Sequence, residues 1–268
     1  MSERKAIFIT GGGSGIGRAI AQLFGGRGWF IGLADIDEAG MVETAALLPA
    51  GQSSSHVLDV RAPDQWRAAL EAFVQASGGR IDVVANNAGI PSGGKIVEMT
   101  EEEIDRCLDI NLRGVINGAR ASYPYLQQTA PGSCLINTCS AAGVYGSAGM
   151  SIYCASKFGV RAVTESLDAE WAEEGIKVRS IMPSFIDTPL LQHSSHAADN
   201  VPIRERVMAA GLEFTPVETV AHCAWDAVHG KKLHTLVGKT AKQMAFAAKW
   251  MPGRLRERAK NLAEVSGD

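Results

Sequence analysis

An α/β fold is the architecture this sequence predicts: a doubly wound domain of about seven parallel strands flanked by helices. Three observations predict it. Seven short apolar runs recur along the 268 residues. They are near-continuous rather than alternating, which suits strands buried on both faces of a parallel sheet. Segments with helical spacing lie between them, as expected when helices cover both sides of such a sheet. At 46% hydrophobic and 21% charged, the chain can bury one sizeable core.

The first run, KAIFIT at 5–10, stops at a glycine cluster, and a helix over 16–27 follows it. The second, WFIGLAD at 29–35, ends on an acid. The series continues at 54–60, 81–87, 133–140, 176–183 and 234–238. Residues 104–119 place Ile104, Leu108, Leu112, Val115, Ile116 and Ala119 three and four apart, which predicts a helix. SIYCASKFG at 151–159 belongs to another helix. Residues 189–211 read as a lid, a loop followed by a short helix. Residues 239–268 form a C-terminal extension with seven Lys or Arg against three Asp or Glu. Its basic and apolar mixture predicts one or two amphipathic helices broken at Pro252-Gly253. No internal repeat or long linker interrupts the chain, so one domain over 1–268 is expected.

A net charge of −3 gives no reason to expect nucleic acid or an anionic membrane as partner. The opening MSERKAIFIT lacks a secretory apolar stretch, and no uninterrupted apolar run reaches membrane-spanning length. Cys107, Cys134, Cys139, Cys154 and Cys223 contain no C-x-x-C pair. They predict reduced thiols in a cytoplasmic protein, with no disulfide frame and no metal site.

The first candidate site is TGGGSGIG, Thr10 to Gly17, between a strand and a helix. Its glycines (Gly11, Gly15 and Gly17 among them), with Ser14 and Ile16, let the backbone approach a ligand closely. The helix that follows offers unpaired N–H groups and a partial positive charge, which suit a pyrophosphate. The spacing is G-x-x-x-G-x-G, unlike the commoner G-x-G-x-x-G fingerprint. Asp35 ends the second strand, 18 residues after Gly17, where an acid accepts hydrogen bonds from an adenosine ribose. Its charge repels a 2′-phosphate and so favours NAD(H), without excluding NADP(H). Arg18 reads chiefly as a solvated helix charge.

The second is the pair Tyr153 and Lys157, four apart on one helical face. A free phenol, with a pKa near ~10, is a poor base at neutral pH. A positive charge about 4 Å away contributes roughly 4 kcal/mol at an effective dielectric of about 20. That is on the order of three pKa units before desolvation opposes it. The pair is therefore expected to poise Tyr153 for acid–base work.

With TGGGSGIG, NNAG at 86–89, INTCSAAG at 136–143, YCASK at 153–157 and Asn111 in DINLRGV, the chain resembles the short-chain dehydrogenase/reductase family. Ser140 precedes Tyr153 by 13 residues, as in that family. The resemblance runs from about residue 4 to about 238. It implies a Rossmann-like domain and an oxidoreductase that moves a hydride between a nicotinamide cofactor and a ketone or secondary alcohol. By resemblance, Tyr153 is the general acid/base and Lys157 lowers its pKa and binds the nicotinamide ribose. Ser140 holds the substrate oxygen. Asn111 binds a water that links Lys157 to solvent. Asp59 lies near adenine with Val60 packed beside it, and Asn87 and Gly89 contact the adenosine half. Pro183, Ile186 and Thr188 hold the carboxamide. Ser184 stands where the family usually has glycine, which puts the loop geometry there in question. A homodimer or homotetramer is implied. A dinucleotide-binding redox sensor and a Rossmann isomerase or dehydratase are the rival functions.

The lid carries few fixed charges, which points to a fairly hydrophobic small-molecule substrate, with Arg204 and Arg206 keeping an acidic one open. Leu190, Leu191, Val207 and Met208 are equally well read as pocket lining or as packing, and Tyr145 and Met150 approach from the other side. His193 and His196 read as surface residues, and Cys139 and Cys154 as packing. For the extension, subunit packing or a cover over the substrate cleft is favoured over membrane contact.

Overall fold

A computed structural model describes residues 4–192, 201–209 and 211–257, apart from the side chain of Arg206. His193 and His196 lie outside the described residues. Seven parallel strands form one sheet: β1 (Ala6–Thr10), β2 (Phe30–Asp35), β3 (Ser53–Val57), β4 (Val83–Asn86), β5 (Cys134–Thr138), β6 (Lys177–Pro183) and β7 (His234–Val237). Their order is β3-β2-β1-β4-β5-β6-β7. The strand order reverses between β1 and β4, and a crevice opens beyond the carboxyl ends of the strands at such a point.

Side chains alternate across this sheet with the period of two that a strand imposes. Ile7, Ile9, Ile31 and Leu33 face one layer, built by α1 (Gly15–Gly25) and α8 (Val217–His229). Phe8, Phe30 and Val84 face the other, where α3 (Pro63–Ser77) contributes Trp66, Leu70 and Phe73 and α5 (Gly114–Gln128) contributes Ala119 and Leu126. Phe8, Trp66 and Phe73 are fully buried. Each such side chain stabilises the fold by on the order of 2–3 kcal/mol.

Two of the longer elements and the start of the lid differ from the sequence expectation. The strand expected over 54–60 stops at Val57. There the Asp59 carboxylate accepts from Arg61 N at 2.9 Å, a local turn that competes with the sheet ladder, and Pro63 then opens α3. The helix expected over 104–119 is three segments. They are α4 (Glu101–Leu108), a π-turn at Asp109–Arg113, and α5. Thr100 and Glu103 form a capping box that starts α4 earlier than the apolar spacing alone indicates. The π-turn carries Asn111.

The remaining helices include α2 (Glu38–Ala46), α6 (Ser151–Glu170), α7 (Ile203–Ala209) and α9 (Lys239–Trp250), and residues 252–257 are helical again. The lid begins as a 3-10 turn at Pro189–Gln192 rather than as a plain loop. In the extension, α9 ends before Pro252-Gly253, as expected of that pair.

Candidate active site

A cavity of about 330 Å³ lies at the carboxyl ends of the strands, within the size range of small-ligand sites. Gly11, Ser14, Gly15, Ile16, Asp35, Asp59, Val60, Asn87 and Gly89 line it together with Ser140, Tyr153, Lys157, Pro183, Ile186 and Thr188. Of the residues expected at the site, only Gly17 and Asn111 lie behind this lining.

The glycine loop is built by contacts that forbid side chains. Gly11 sits at φ +66°, and a Cβ there would press on Asn87 and Ala88. A Cβ on Gly17 would overlap the carbonyl oxygen of Gly11. Thr10 Oγ1 accepts from Asn87 N at 3.0 Å and Ala88 N at 3.1 Å. Asn87 Nδ2 donates to Thr10 O at 3.0 Å, and its Oδ1 accepts from Thr138 Oγ1 at 3.1 Å. The ends of β1, β4 and β5 are thereby locked together. At the start of α1, Ser14 makes no side-chain cap and the first turn holds no acid. That helix end keeps backbone donors and positive dipole for an anion, and the cradle fits a dinucleotide diphosphate.

Asp35 Oδ2 accepts from Gly13 N at 3.0 Å and Oδ1 from Asp37 N at 3.1 Å. Each carboxylate oxygen keeps a further acceptor direction, enough for ribose hydroxyls. The Arg61 guanidinium grips both oxygens of Asp59 and holds its carboxyl below the usual range. Asp59 therefore reaches the cavity as half of an ion pair. Arg18 is not a solvated charge. It donates to Gly13 O at 2.6 Å, Thr44 Oγ1 at 2.9 Å and Glu43 Oε2 at 2.8 Å, clamping the glycine loop to α2.

Lys157 is 4% exposed, and its Nζ donates to Thr138 O at 3.1 Å. Burial lowers its pKa. Tyr153 opens partly into the cleft, yet burial pushes its pKa up to about 12, with a hydrogen bond from Ser140 pulling the other way. The expected net lowering by the neighbouring amine is thus reversed. The physical reason is desolvation, the largest influence on a hydroxyl set this deep. Ser140 Oγ accepts from Ala142 N at 3.1 Å and donates over a long 3.5 Å to Pro183 O, so it is easily redirected to a ligand.

Asn111 is fully buried and its side chain is already spoken for. Oδ1 accepts from Ile90 N at 2.8 Å and Nδ2 donates to Ile90 O at 2.9 Å. These two bonds clamp the side chain to the cleft wall, because a buried amide must satisfy both its ends. Gly89 packs against Asn111 Oδ1 and Lys157 Nζ, at 3.0 and 3.6 Å from where a Cβ would sit.

Ser184 raises no strain. Among the described residues no non-glycine has positive φ, and Ser184 N and Oγ both donate to Val237 O, at 3.2 and 3.3 Å. Leu190 and Leu191 line the cavity, whereas Val207 is buried and Met208 is 62% exposed, and neither they nor Tyr145 and Met150 are in the lining. The Arg204 guanidinium pairs with Asp187 and lies 4.7 Å from the centre of the Phe214 ring. Cys139 and Cys154 are buried, although Cys139 does touch the cavity, and burial pushes both thiols up. Sequence reasoning missed Ile36, Ile90, Ile110 and Thr138 in the lining. Thr138 had a signal, since it ends the strand that delivers Ser140. The isoleucines had none, because apolar residues beside a ligand look like core.

A family model described as short chain dehydrogenase matches residues 5–199. The chain is similar to 3-oxoacyl-(acyl-carrier-protein) reductase FabG of Thermotoga maritima, 38% identical over 193 residues, 71% of this chain and 77% of that one. Some other curated relatives are longer, and the match spans 31% to 37% of their length. Among solved structures, levodione reductase superposes with a TM-score of 0.80 at 28% identity, covering 90% of this chain and 98% of that one. A short-chain dehydrogenase/reductase from Burkholderia phymatum in complex with NAD gives 0.79 at 26% identity, covering 98% and 96%. Glycine cradle, acid-tipped β2, the Ser140–Tyr153–Lys157 grouping and these matches lead to one assignment: the chain belongs to the short-chain dehydrogenase/reductase family of oxidoreductases.

Proposed function

We propose that the protein is an NAD(H)-dependent ketoreductase or secondary-alcohol dehydrogenase acting on a fairly hydrophobic small molecule. The observation that carries this reading is that Ser140, Tyr153 and Lys157 line the same cavity as the glycine loop and Asp35. Bound there, the nicotinamide dinucleotide supplies or accepts the hydride. Gly11, Ser14, Gly15, Ile16 and Gly17 form its diphosphate cradle. Asp35 takes the ribose and favours NAD(H) over NADP(H), and Pro183, Ile186 and Thr188 face the nicotinamide end.

In reduction, Tyr153 gives its proton to the carbonyl oxygen while the Ser140 hydroxyl donates to the same oxygen and fixes its position. A phenol held up to about 12 is fully protonated at neutral pH and is ready for this direction. In oxidation the phenol must ionise first, and the buried Lys157 ammonium is the local charge that favours that form. Protons are replenished past Lys157 and Asn111, which border the same backbone at Gly89. Leu190 and Leu191 in the lining, and an Arg204 already paired with Asp187, support an apolar substrate over an acidic one. The protein acts in the cytoplasm as a homodimer or homotetramer. The half-open Ile116 on α5 and Phe158 on α6 support such pairing.

NADH oxidation across a panel of ketones, run with the parent and with Tyr153→Phe, tests the reading. Turnover in the parent and its loss in the variant are expected. Dinucleotide binding without turnover in both would instead indicate a sensor, and preference for acidic substrates would overturn the apolar pocket.

A further inference from the structure

The helix α9 turns a mixed basic and aromatic face outward. Its inner side is mostly alanine: Ala241 is fully buried, and Ala245, Ala247 and Ala248 are half-buried. This small-residue side packs the helix against β7 and the turn at Ala141–Gly143 that follows Ser140. Lys239, Lys242, Gln243, Phe246, Lys249 and Trp250 are exposed. At 3.6 residues per turn these six share an arc of about 120°, with Phe246 near its centre. Phe246 is 58% exposed and Trp250 64%, far more than large aromatics need to be on a helix that already has a packed side. Lys249 lies 4.8 Å from the Trp250 ring centre. Arg254 and Arg256 extend the positive surface beyond the helix and are exposed too.

Three partners fit an open aromatic face, and the charge separates them. An isologous contact with a second copy would set these lysines against the same lysines. A cover over the cleft would need the aromatic side turned inward, and it is turned out. Aromatic rings that seat at the headgroup level, ringed by lysines that meet lipid phosphates, match an anionic bilayer. The whole chain is net negative at −3, so this positive face is local rather than a share of a basic protein. We propose that α9 docks the protein on an anionic membrane surface, with Phe246 and Trp250 inserted at the interface. It does not span the bilayer: among the described residues no helix is long and apolar enough for that. Docking through α9 holds the catalytic turn at Ala141–Gly143 next to the surface from which an apolar ketone or alcohol arrives.

The test is co-sedimentation of the full chain with vesicles of phosphatidylcholine, with and without phosphatidylserine. Pelleting with phosphatidylserine vesicles at low salt, released by added salt, is expected. Phe246→Ser with Trp250→Ser, and separately Lys242→Glu with Lys249→Glu, should each weaken it about tenfold or more. Both variants should keep the parent's NADH turnover on a water-soluble ketone and its elution on sizing, since none of the four residues lines the cleft. Failure to pellet, or equal pelleting with neutral vesicles, would overturn the proposal. So would a change in oligomeric state in the variants, which would make the face a subunit contact. These readouts use vesicles and sizing, so they stand apart from the test of the catalytic reading.

Discussion

The Lys157 ammonium sits over the ring of Tyr153, 5.7 Å from its centre, and donates a hydrogen bond to Thr138 O. Four residues of helix bring the two together, but Lys157 is tied to the strand behind it. The phenol is therefore governed first by burial and by Ser140.

That arrangement sets the pH behaviour. With reduced dinucleotide bound, kcat/KM for ketone reduction should stay flat from about pH 6 to about pH 9, because the acid is already loaded. Alcohol oxidation should rise with pH over the same span. Tyr153→Phe should lower both by about 100-fold or more while leaving dinucleotide binding intact, as read by fluorescence titration.

The same group makes a stability prediction. Its folded pKa, about 12, lies above the free value of 10.0. The folded state thus keeps a proton that the unfolded chain gives up. The contribution is whole below about pH 10 and is lost as pH climbs towards 12, on the order of 2–3 kcal/mol. Thermal melts should show Tyr153→Phe losing less stability than the parent across that window.

Gly17→Ala should abolish dinucleotide binding and destabilise the fold by about 2 kcal/mol or more, since its methyl meets the Gly11 carbonyl. Melts with and without NAD check both parts. A variant that melts normally and is stabilised by NAD would show that the loop can yield.

Asp35→Asn removes the charge and keeps an acceptor oxygen for only one of Gly13 N and Asp37 N. The ratio of NADP to NAD affinity should rise by about tenfold, measured by titration of each dinucleotide. An unchanged ratio would shift the choice of cofactor elsewhere in the cleft.

Asn111→Ala leaves Ile90 N and O without partners in a buried place. A loss of about 1–3 kcal/mol is expected from denaturant titration. Asn111→Asp keeps the acceptor for Ile90 N but sets a carboxylate oxygen against Ile90 O, so it should recover little of the stability. A kcat that falls while KM for NADH holds would separate a role at Lys157 from simple weakening of the fold.

Much of this was written in local pattern. Short runs between turn signals gave all seven strand positions, though β3 is mostly serine; the glycine run and the Asp35 terminus marked the expected dinucleotide end, and the i, i+4 spacing marked Tyr153 with Lys157. These features depend on neighbours in sequence, where strand and helix periods and backbone sterics act. The end of β3 at Val57 and the π-turn around Asn111 depend instead on competing hydrogen bonds that a periodicity does not contain. Arg18 shows the same gap, for its partners Thr44 and Glu43 come from another helix.

The sequence by itself determined the strand series and which residues are candidates for the chemistry, because residue type and short-range spacing suffice for that. Only the tertiary structure decided the upward push of burial on the Tyr153 hydroxyl, the engagement of Asn111 with Ile90, the pairing of Arg204 with Asp187 and the outward turn of Phe246 and Trp250. Each of these is set by desolvation or by a partner distant in the chain, and burial is a property of the packed molecule rather than of any residue along it.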